Sequence, residues 1–183
     1  MLLLLRGFEA GGHNGREETT TMCLIPIVKQ AVKIPIIAAG GIGSGRAMLA
    51  AMALGADGVQ MGSRFVASEE SSASSNFKNS VIHSNEGDTR LMLKQITPVR
   101  LLKNKFFDVV QDAEKKGVSL EELTTILGRG RAKKGMFEGD LDEGELEIGQ
   151  VAAMFREIKP SKVIIEEIMA EYKQVKEELI SGF

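Results

Sequence analysis

Cysteine is nearly absent from the chain. Its 183 residues include one cysteine, Cys23, so no disulfide bond can form within the chain. A lone cysteine is typical of proteins that work in a reducing compartment, and we expect a cytoplasmic location. Cys23 has no obvious base beside it in the sequence, which predicts a structural role.

A charge excess of either sign is also lacking. The 23 Lys and Arg residues nearly balance the 25 Asp and Glu residues, and the formal net charge is −2. Nucleic-acid-binding surfaces normally need a clear basic excess, so we expect no nucleic-acid partner. A short basic run at residues 129–134 is expected to be a solvated loop, with a role in gripping an anionic substrate or cofactor as the alternative.

Long hydrophobic runs are lacking as well. The apolar stretch at residues 1–5 stops at Arg6 and is shorter than the roughly 7–15 apolar residues of a signal peptide. No stretch approaches the ~20 apolar residues of a membrane span. We therefore expect a soluble chain with no membrane partner.

The first 67 residues alternate short apolar runs with helical segments. Strands are predicted at residues 2–5, 34–39 and 57–61, separated by one helix beginning near Thr20 or Thr21 and another capped by Ser44. Continuous apolar runs suit parallel strands that are buried on both faces. The alternation predicts an α/β fold with a parallel sheet over residues 1–67.

The pattern changes after this region, and residues 68–150 are predicted as a mostly helical insertion or lid. In chain order it comprises a helix at 69–82, a strand at 91–96, a helix at 98–113, a short helix with a capping box of Ser119 and Glu122, and a loop at 128–149. Residues 151–183 are predicted as C-terminal helices, at 151–158 and 161–180. The last helix carries an apolar stripe that should pack on a neighbour: Ile164, Ile168, Tyr172, Val175 and Leu179.

A glycine-rich loop, residues 40–46, lies between the second predicted strand and a helix. Glycines let the backbone approach a ligand, and the first N–H groups of a helix lack intrahelical partners and carry partial positive charge. The loop is therefore either an anion site or a tight turn without a ligand. It is not a P-loop, because Arg46-Ala47 replaces the Lys-Ser/Thr pair, and it lacks the third glycine of a dinucleotide-binding turn.

A second glycine-bearing strand end, Gly62-Ser63, follows about 20 residues later. The loops after strands seven and eight of a (β/α)₈ barrel frequently form one phosphate site, and the two strand ends fit that geometry. The loop at residues 9–15 would lie on the same face. His13 in that loop can take or give a proton near neutral pH, or it can merely hydrogen-bond the loop, whereas His83 is expected on the surface.

Three segments in this order, residues 7–15, 38–42 and 53–65, resemble the nitronate monooxygenase family, also called 2-nitropropane dioxygenases. The flavin-dependent enoyl-acyl-carrier-protein reductases of type II are close relatives with the same motifs. The resemblance continues into Glu138-Gly139-Asp140, Gly149-Gln150 and Lys159-Pro160, and so spans essentially the whole chain.

The resemblance implies the C-terminal part of an FMN-binding (β/α)₈ TIM barrel, and no metal. By matching positions, Gly11 would lie near the flavin and His13 would be the catalytic base that acts on a nitroalkane. The FMN phosphate would be held by Gly41 and the strand end Gln60-Met61-Gly62-Ser63, with Gly40 beside them. The redox chemistry of such an enzyme belongs to the flavin, and the protein positions the reactants.

The resemblance leaves two activities and one non-catalytic alternative open. The first activity is oxidation of alkyl nitronates with O₂, and the second is enoyl-acyl-carrier-protein reduction with NAD(P)H as co-substrate. The small-molecule substrate is then a nitronate, a nitroalkane or an enoyl thioester. A (β/α)₈ barrel typically needs ~250 residues, and about three barrel strands are predicted here. The non-catalytic alternative is therefore a fragment that needs a missing N-terminal half-barrel, or a homo-oligomer. Arg6 is a further departure from the family, whose members often have Gln or Glu at this position.

Overall fold

The computed structural model describes residues 1–182 as an α/β fold with two small sheets. In chain order its elements are β1 (Leu3–Arg6), β2 (Gly12–His13), α1 (Thr21–Ala31), β3 (Ile36–Ala39), α2 (Gly45–Ala53), β4 (Gly58–Gln60), α3 (Ser63–Val66), α4 (Ser75–Ile82), β5 (Thr89–Met92), β6 (Val99–Leu102), α5 (Lys105–Lys116), α6 (Leu120–Leu127) and α7 (Ser161–Ser181). A π-helical turn at Lys133–Phe137 and a 3-10 turn at Gln150–Met154 lie between α6 and α7. Within these residues no helix is both long and apolar enough to cross a membrane.

The first sheet is parallel, with the strand order β1–β3–β4, and α1 and α2 form its crossovers. This confirms the predicted α/β alternation. Arg6 pairs with Ala39, and Ala39 pairs with Gln60, so the three strands end at the same edge of the sheet. Ile25 of α1 packs with Ala38 of β3 in the core beneath.

The second sheet is antiparallel, and its central strand β6 corrects the helix predicted at residues 98–113. Residues 99–102 are a strand, and all four of them are buried. The helix α5 begins only after Asn104, whose side chain accepts a hydrogen bond from the N–H of Phe107 at 2.8 Å. The apolar residues of the strand and of the helix together mimic one helical stripe, and the Asn104 cap is the signal that separates them.

Two other predicted helices are shorter than expected, whereas the predicted capping box is present. The helix α4 begins at Ser75 rather than at residue 69, because the Ser74 hydroxyl accepts a hydrogen bond from the N–H of Phe77 at 3.3 Å. The segment predicted as a helix at 151–158 contains only the 3-10 turn. Ser119 and Glu122 cap each other's backbone and begin α6, as predicted.

Part of the segment predicted as a loop at residues 128–149 contributes buried side chains to the hydrophobic core. Leu146 and Ile148 are buried in one cluster with Phe77 and Val81 of α4. The N–H of Leu102 donates a hydrogen bond to the carbonyl of Leu146 at 2.8 Å, which attaches this segment to β6. The segment therefore links the second sheet to the region above the first.

The long C-terminal helix α7 packs along α2, and Gly45 makes their close approach feasible. A Cβ atom at Gly45 would collide with the backbone of α7 at Ile168 and Tyr172. Within the predicted stripe of α7 three side chains are buried and Tyr172 is half-buried, but Leu179 is 51% exposed. Packing of the last turn of α7 through Leu179 was therefore a wrong prediction.

Gly45→Ala tests this helix contact. The added methyl group meets backbone atoms of α7, which cannot rotate away, so we expect a loss of about 1–3 kcal/mol in the free energy of unfolding. Urea denaturation followed by circular dichroism measures it. Gly15→Ala is the matched control, because nothing lies within 4 Å of a Cβ at Gly15. Equal stability of the two variants would contradict the packing argument.

Glu70 gives a pH-dependent contribution to stability at the start of α7. Its carboxylate accepts hydrogen bonds from the N–H and hydroxyl of Ser161, both at 2.8 Å, and these bonds hold the pKa of Glu70 below its usual value. The stabilisation is present above the unfolded-state pKa and disappears as the pH falls through the lower folded-state pKa. We expect Glu70→Gln to lower the urea midpoint at about pH 7 but not at about pH 3. Glu69→Gln, at an exposed neighbour, should lower it at neither pH.

Candidate functional site

A cavity of about 340 Å³ lies at the edge of the first sheet where its three strands end. Its wall combines residues of the strand ends and the loops after them with residues of the segment before α7. The lining residues are Leu4, Arg6, Glu9, Ala10, Gly11, Ala39, Gly40, Gly41, Ile42, Gln60, Gly62, Ser63, Val66, Met136, Glu147, Ile148, Gly149 and Val151.

Two successive glycines turn the backbone from β3 into this cavity. Gly40 and Gly41 have φ angles of +98° and +68°, in the left-handed region that favours glycine. A Cβ at Gly40 would lie 2.9 Å from the carbonyl oxygen of Gly7, so the absence of a side chain also lets the loop after β1 approach. The two glycines are therefore required by the backbone and by close packing.

Several backbone N–H groups at the ends of β3 and β4 have no protein acceptor within residues 1–182, and four of them matter for the cavity. They belong to Gly41, Ile42, Gly62 and Ser63, all at or next to the cavity wall. No atom lies within 4 Å of the position of a Cβ at Gly62, so this part of the wall is open. Unpaired N–H groups gathered around open space are the usual backbone arrangement for an anion.

The N-terminus of α2, in contrast, is not available to an anion. The N–H of Gly45 donates to a carboxylate oxygen of Glu171 at 2.6 Å, and the N–H of Ala47 donates to the Ser44 hydroxyl at 3.1 Å. The helix terminus that the sequence suggested as part of the site is therefore occupied by side chains. The N–H groups of Gly41 and Ile42, before the helix begins, have no such acceptor.

The segment Glu147–Val151 closes the cavity from above, which the sequence did not predict. The N–H of Gly149 donates to the Ser63 hydroxyl oxygen at 2.9 Å, and the N–H of Gln150 donates to the carbonyl of Glu9 at 3.0 Å. A Cβ at Gly11 would collide with the backbone of Ile148, so the close contact between these two segments requires a glycine at position 11. The pair Gly149-Gln150, which belongs to the family resemblance, is the feature of the sequence that could have indicated a role for this segment at the cavity.

One acidic side chain at the cavity, that of Glu9, already accepts hydrogen bonds from other residues of the chain. Glu9 accepts hydrogen bonds from the N–H of Thr21, at 3.0 and 3.1 Å, and lies 2.9 Å from its hydroxyl, at the start of α1. Arg6 donates to the carbonyl of Gly11. Just outside the wall, burial raises the pKa of Glu145, and the nearby carboxylate of Glu147 raises it further.

The structure brings together Gly11, Gly40, Gly41, Gln60, Gly62 and Ser63 around the cavity, as expected from the sequence. It does not bring Met61 and His13 to the cavity wall. Met61 packs against the core beneath the sheet, so its contribution to a ligand would come from its backbone.

His13 lies on β2 opposite Val99 of β6, and its side chain is exposed. It is held at the rim by the neighbouring loop, where Asn14 donates to the carbonyls of Ala10 and Gly12 at 2.8 and 3.0 Å. The imidazole is therefore accessible to a small molecule beside the cavity rather than within it.

The basic run at residues 129–134 is largely neutralised within the chain. Arg131, Lys133 and Lys134 each lie within 3.2 Å of a carboxylate, those of Glu143, Glu138 and Asp140 respectively. Arg131 also stacks over the ring of Phe106, at 4.4 Å from its centroid. Within residues 1–182, no group of three or more His, Cys, Asp or Glu side chains could hold a metal ion.

Comparisons with known proteins place this cavity in a family context. The family model for nitronate monooxygenase matches residues 2–171. A probable nitronate monooxygenase of Staphylococcus saprophyticus is 38% identical over 148 aligned residues, which cover 73% of this chain and 41% of that protein. Another from Staphylococcus haemolyticus is 46% identical over 97 residues, covering 48% of this chain and 27% of that protein.

Two solved structures share the fold of the whole chain or nearly all of it. FabK from Thermotoga maritima has a TM-score of 0.93 at 39% identity, over 100% of this chain and 57% of that one. Nitroalkane oxidase from Streptomyces ansochromogenes has a TM-score of 0.77 at 30% identity, over 97% of this chain and 53% of that one. The chain spans about half the length of these two structures and 41% of the Staphylococcus saprophyticus protein. The chain belongs to the nitronate monooxygenase family and is related through it to the type II enoyl-acyl-carrier-protein reductases.

Proposed function

We propose that the chain forms the phosphate-binding side of an FMN-dependent oxidoreductase of the nitronate monooxygenase type, which oxidises alkyl nitronates with O₂. The observation that carries the proposal is the set of four unpaired N–H groups around one cavity, at two neighbouring strand ends of a chain in this family. The three parallel strands would be the C-terminal strands of a (β/α)₈ barrel, whose phosphate site typically lies at this end.

The residues around the cavity fit the phosphate of FMN. Gly41, Ile42, Gly62 and Ser63 offer N–H groups, and the Ser63 hydroxyl can still donate its hydrogen because its oxygen accepts from Gly149. The open space at Gly62 leaves room for the anion. FMN, when bound, supplies the electron-transfer chemistry of the reaction.

Gly11 and His13 would act on the other side of the cofactor site. Gly11 lines the cavity and has no side chain to obstruct a flat ring, so we place it near the flavin. We assign His13 the removal of the α-proton of a nitroalkane, or the electrostatic stabilisation of the nitronate anion. The pairing of β2 with β6 holds its backbone, while the exposed imidazole stays accessible to the substrate.

The second candidate is enoyl-acyl-carrier-protein reduction with NAD(P)H. It is favoured by the fit to FabK, whose TM-score of 0.93 exceeds the 0.77 of nitroalkane oxidase. Oxygen uptake with an alkyl nitronate and NAD(P)H oxidation with a crotonyl thioester separate the two activities. Either reaction would take place in the cytoplasm in this proposal.

A non-catalytic role is a third candidate, of a different class. The chain would then bind phosphate ligands only weakly, or would assemble with an N-terminal half-barrel or with a second copy of itself. The two edges of the first sheet, β1 and β4, are the surfaces such a partner would pair with. The absorbance spectrum of the purified chain with FMN distinguishes this alternative from both enzymatic ones.

Gly62→Val tests the cofactor proposal. We expect the wild-type chain to bind FMN, seen as a shifted flavin absorbance near ~450 nm and quenched flavin fluorescence. The valine side chain would fill the open space beside the phosphate and weaken FMN binding about tenfold or more. Gly15→Val, which adds the same side chain to an open position outside the cavity, should bind FMN normally. A wild-type chain that does not bind FMN would overturn both enzymatic proposals for this chain.

His13→Ala tests the proton-transfer role. Turnover of a neutral nitroalkane should fall by roughly 10²–10⁴-fold, because the chain then lacks the imidazole to which we assign removal of the α-proton. Turnover of a preformed nitronate should fall much less, since that substrate has already lost the proton. His83→Ala is the control, because His83 lies outside the cavity and contacts the carbonyl of Asn79 through Nδ1 at 2.7 Å. Unchanged nitroalkane turnover in His13→Ala would leave His13 a structural residue of the loop.

A further inference from the structure

We propose a second oxyanion site, distinct from the cofactor cavity, in which Arg64 binds a phosphate-sized anion. The site is a cavity of about 280 Å³ between the loop before α2 and the residues that follow the 3-10 turn. Its wall includes Gly43, Ser44, Arg64, Phe155, Arg156 and Lys159, together with one acidic residue, Glu157. The proposal does not depend on the flavin chemistry proposed above.

Arg64 is buried without the hydrogen bonds that a buried guanidinium normally makes. The residue is 8% exposed, and its Nη1 atom is enclosed without a partner. None of the hydrogen bonds within residues 1–182 uses any nitrogen of this guanidinium as a donor. Its remaining contact is the ring of Phe155, whose centroid lies 5.0 Å from Cζ. Because an unpaired buried cation is unfavourable, the donors of Arg64 call for an acceptor that the chain does not provide.

The other charged groups of the cavity do not supply that acceptor. The carboxylates of Glu157 and Glu167 form ion pairs with Lys159, at 3.2 and 2.7 Å, and neither of them lies within 4 Å of Arg64. Arg156 donates to the carbonyls of Ser84 and Phe155, at 3.1 and 2.7 Å. Within the described residues neither Arg64 nor Arg156 forms an ion pair within 4 Å, so the two guanidinium charges outnumber the single carboxylate, that of Glu157, at this cavity.

The loop side of the cavity adds a hydroxyl donor. The Ser44 oxygen accepts from the N–H of Ala47 at 3.1 Å, which leaves its own hydrogen free to donate. The five N–H groups of a guanidinium form a planar fork that matches two oxygens of a phosphate or carboxylate. Arg64, Ser44 and the positive charge of Arg156 together fit a tetrahedral oxyanion such as phosphate, either free or as a small monoester.

A packed wall separates this site from the cofactor cavity. A Cβ at Gly43 would lie 2.7 Å from a methyl group of Val151 and 2.8 Å from the ring of Phe155. Val151 lines the cofactor cavity, whereas Phe155 lines the second one. The two cavities therefore share a wall but have different ligand groups, and variants of one should leave the other intact.

The test is a titration of the full chain with inorganic phosphate, followed by calorimetry and by ³¹P NMR line broadening, before and after saturation with FMN. We expect phosphate to bind at millimolar concentration, and Arg64→Lys to weaken this binding about tenfold or more, since lysine keeps the charge but loses the fork. Arg90→Gln, on the exposed side of β5, is the control for net charge and should bind phosphate like the wild type. Methyl phosphate in place of phosphate shows whether the site accepts an ester, and binding of either anion that requires Arg64 supports the proposal.

Two outcomes would overturn the proposal, and a cross-comparison separates it from the cofactor site. Phosphate binding that is absent in the wild type, or equal in wild type and Arg64→Lys, excludes the Arg64 site. Phosphate binding that is lost in Gly62→Val but kept in Arg64→Lys assigns the anion to the cofactor cavity instead. If Arg64→Lys does not fold, the exposed Arg156 of the same cavity is replaced instead: weaker phosphate binding by Arg156→Gln than by Arg90→Gln supports the site, and equal binding excludes it.

Discussion

The register of the parallel sheet is the constraint on which the rest of the site depends. Since Arg6, Ala39 and Gln60 lie side by side across β1, β3 and β4, the loops that follow them meet at one edge. Each loop carries a glycine within two residues of its strand end, Gly7, Gly40 and Gly62 respectively, and the loops meet around the cavity. The N–H groups exposed there have no acceptor in a strand or a helix, and the proposed function assigns them an anion as their acceptor.

The glycines between β3 and the first turn of α2 divide between two tasks. Gly40 and Gly41 shape the cavity wall through their positive φ angles. Gly43 and Gly45 instead accommodate neighbours, the ring of Phe155 and the backbone of α7. Because Glu171 occupies the terminus of α2, the loop cannot use the helix dipole in the manner of a P-loop. The glycines thus shape the cavity wall at one end of the loop and allow close packing at the other.

The segment after the π-helical turn connects the two sheets into one site. Leu146 bonds to β6 of the antiparallel sheet, while Gly149 and Gln150 bond to the strand-end loops of the parallel sheet. The position of the cavity roof is therefore coupled to the second sheet, to which the loop carrying His13 also belongs. This arrangement allows the family's motifs, far apart in sequence, to act at one place.

The sequence by itself determined the parallel alternation, the glycine-bearing strand ends and the family, because these depend on local apolar runs and on short motifs. It misjudged residues 99–102, because strand and helix apolar residues run together there. Only the tertiary structure decided that Glu147–Val151 forms the roof, that Glu171 occupies the terminus of α2, and that His13 lies at the rim. These features are contacts between residues far apart in the chain, and no local pattern encodes which distant side chain will reach a given backbone group.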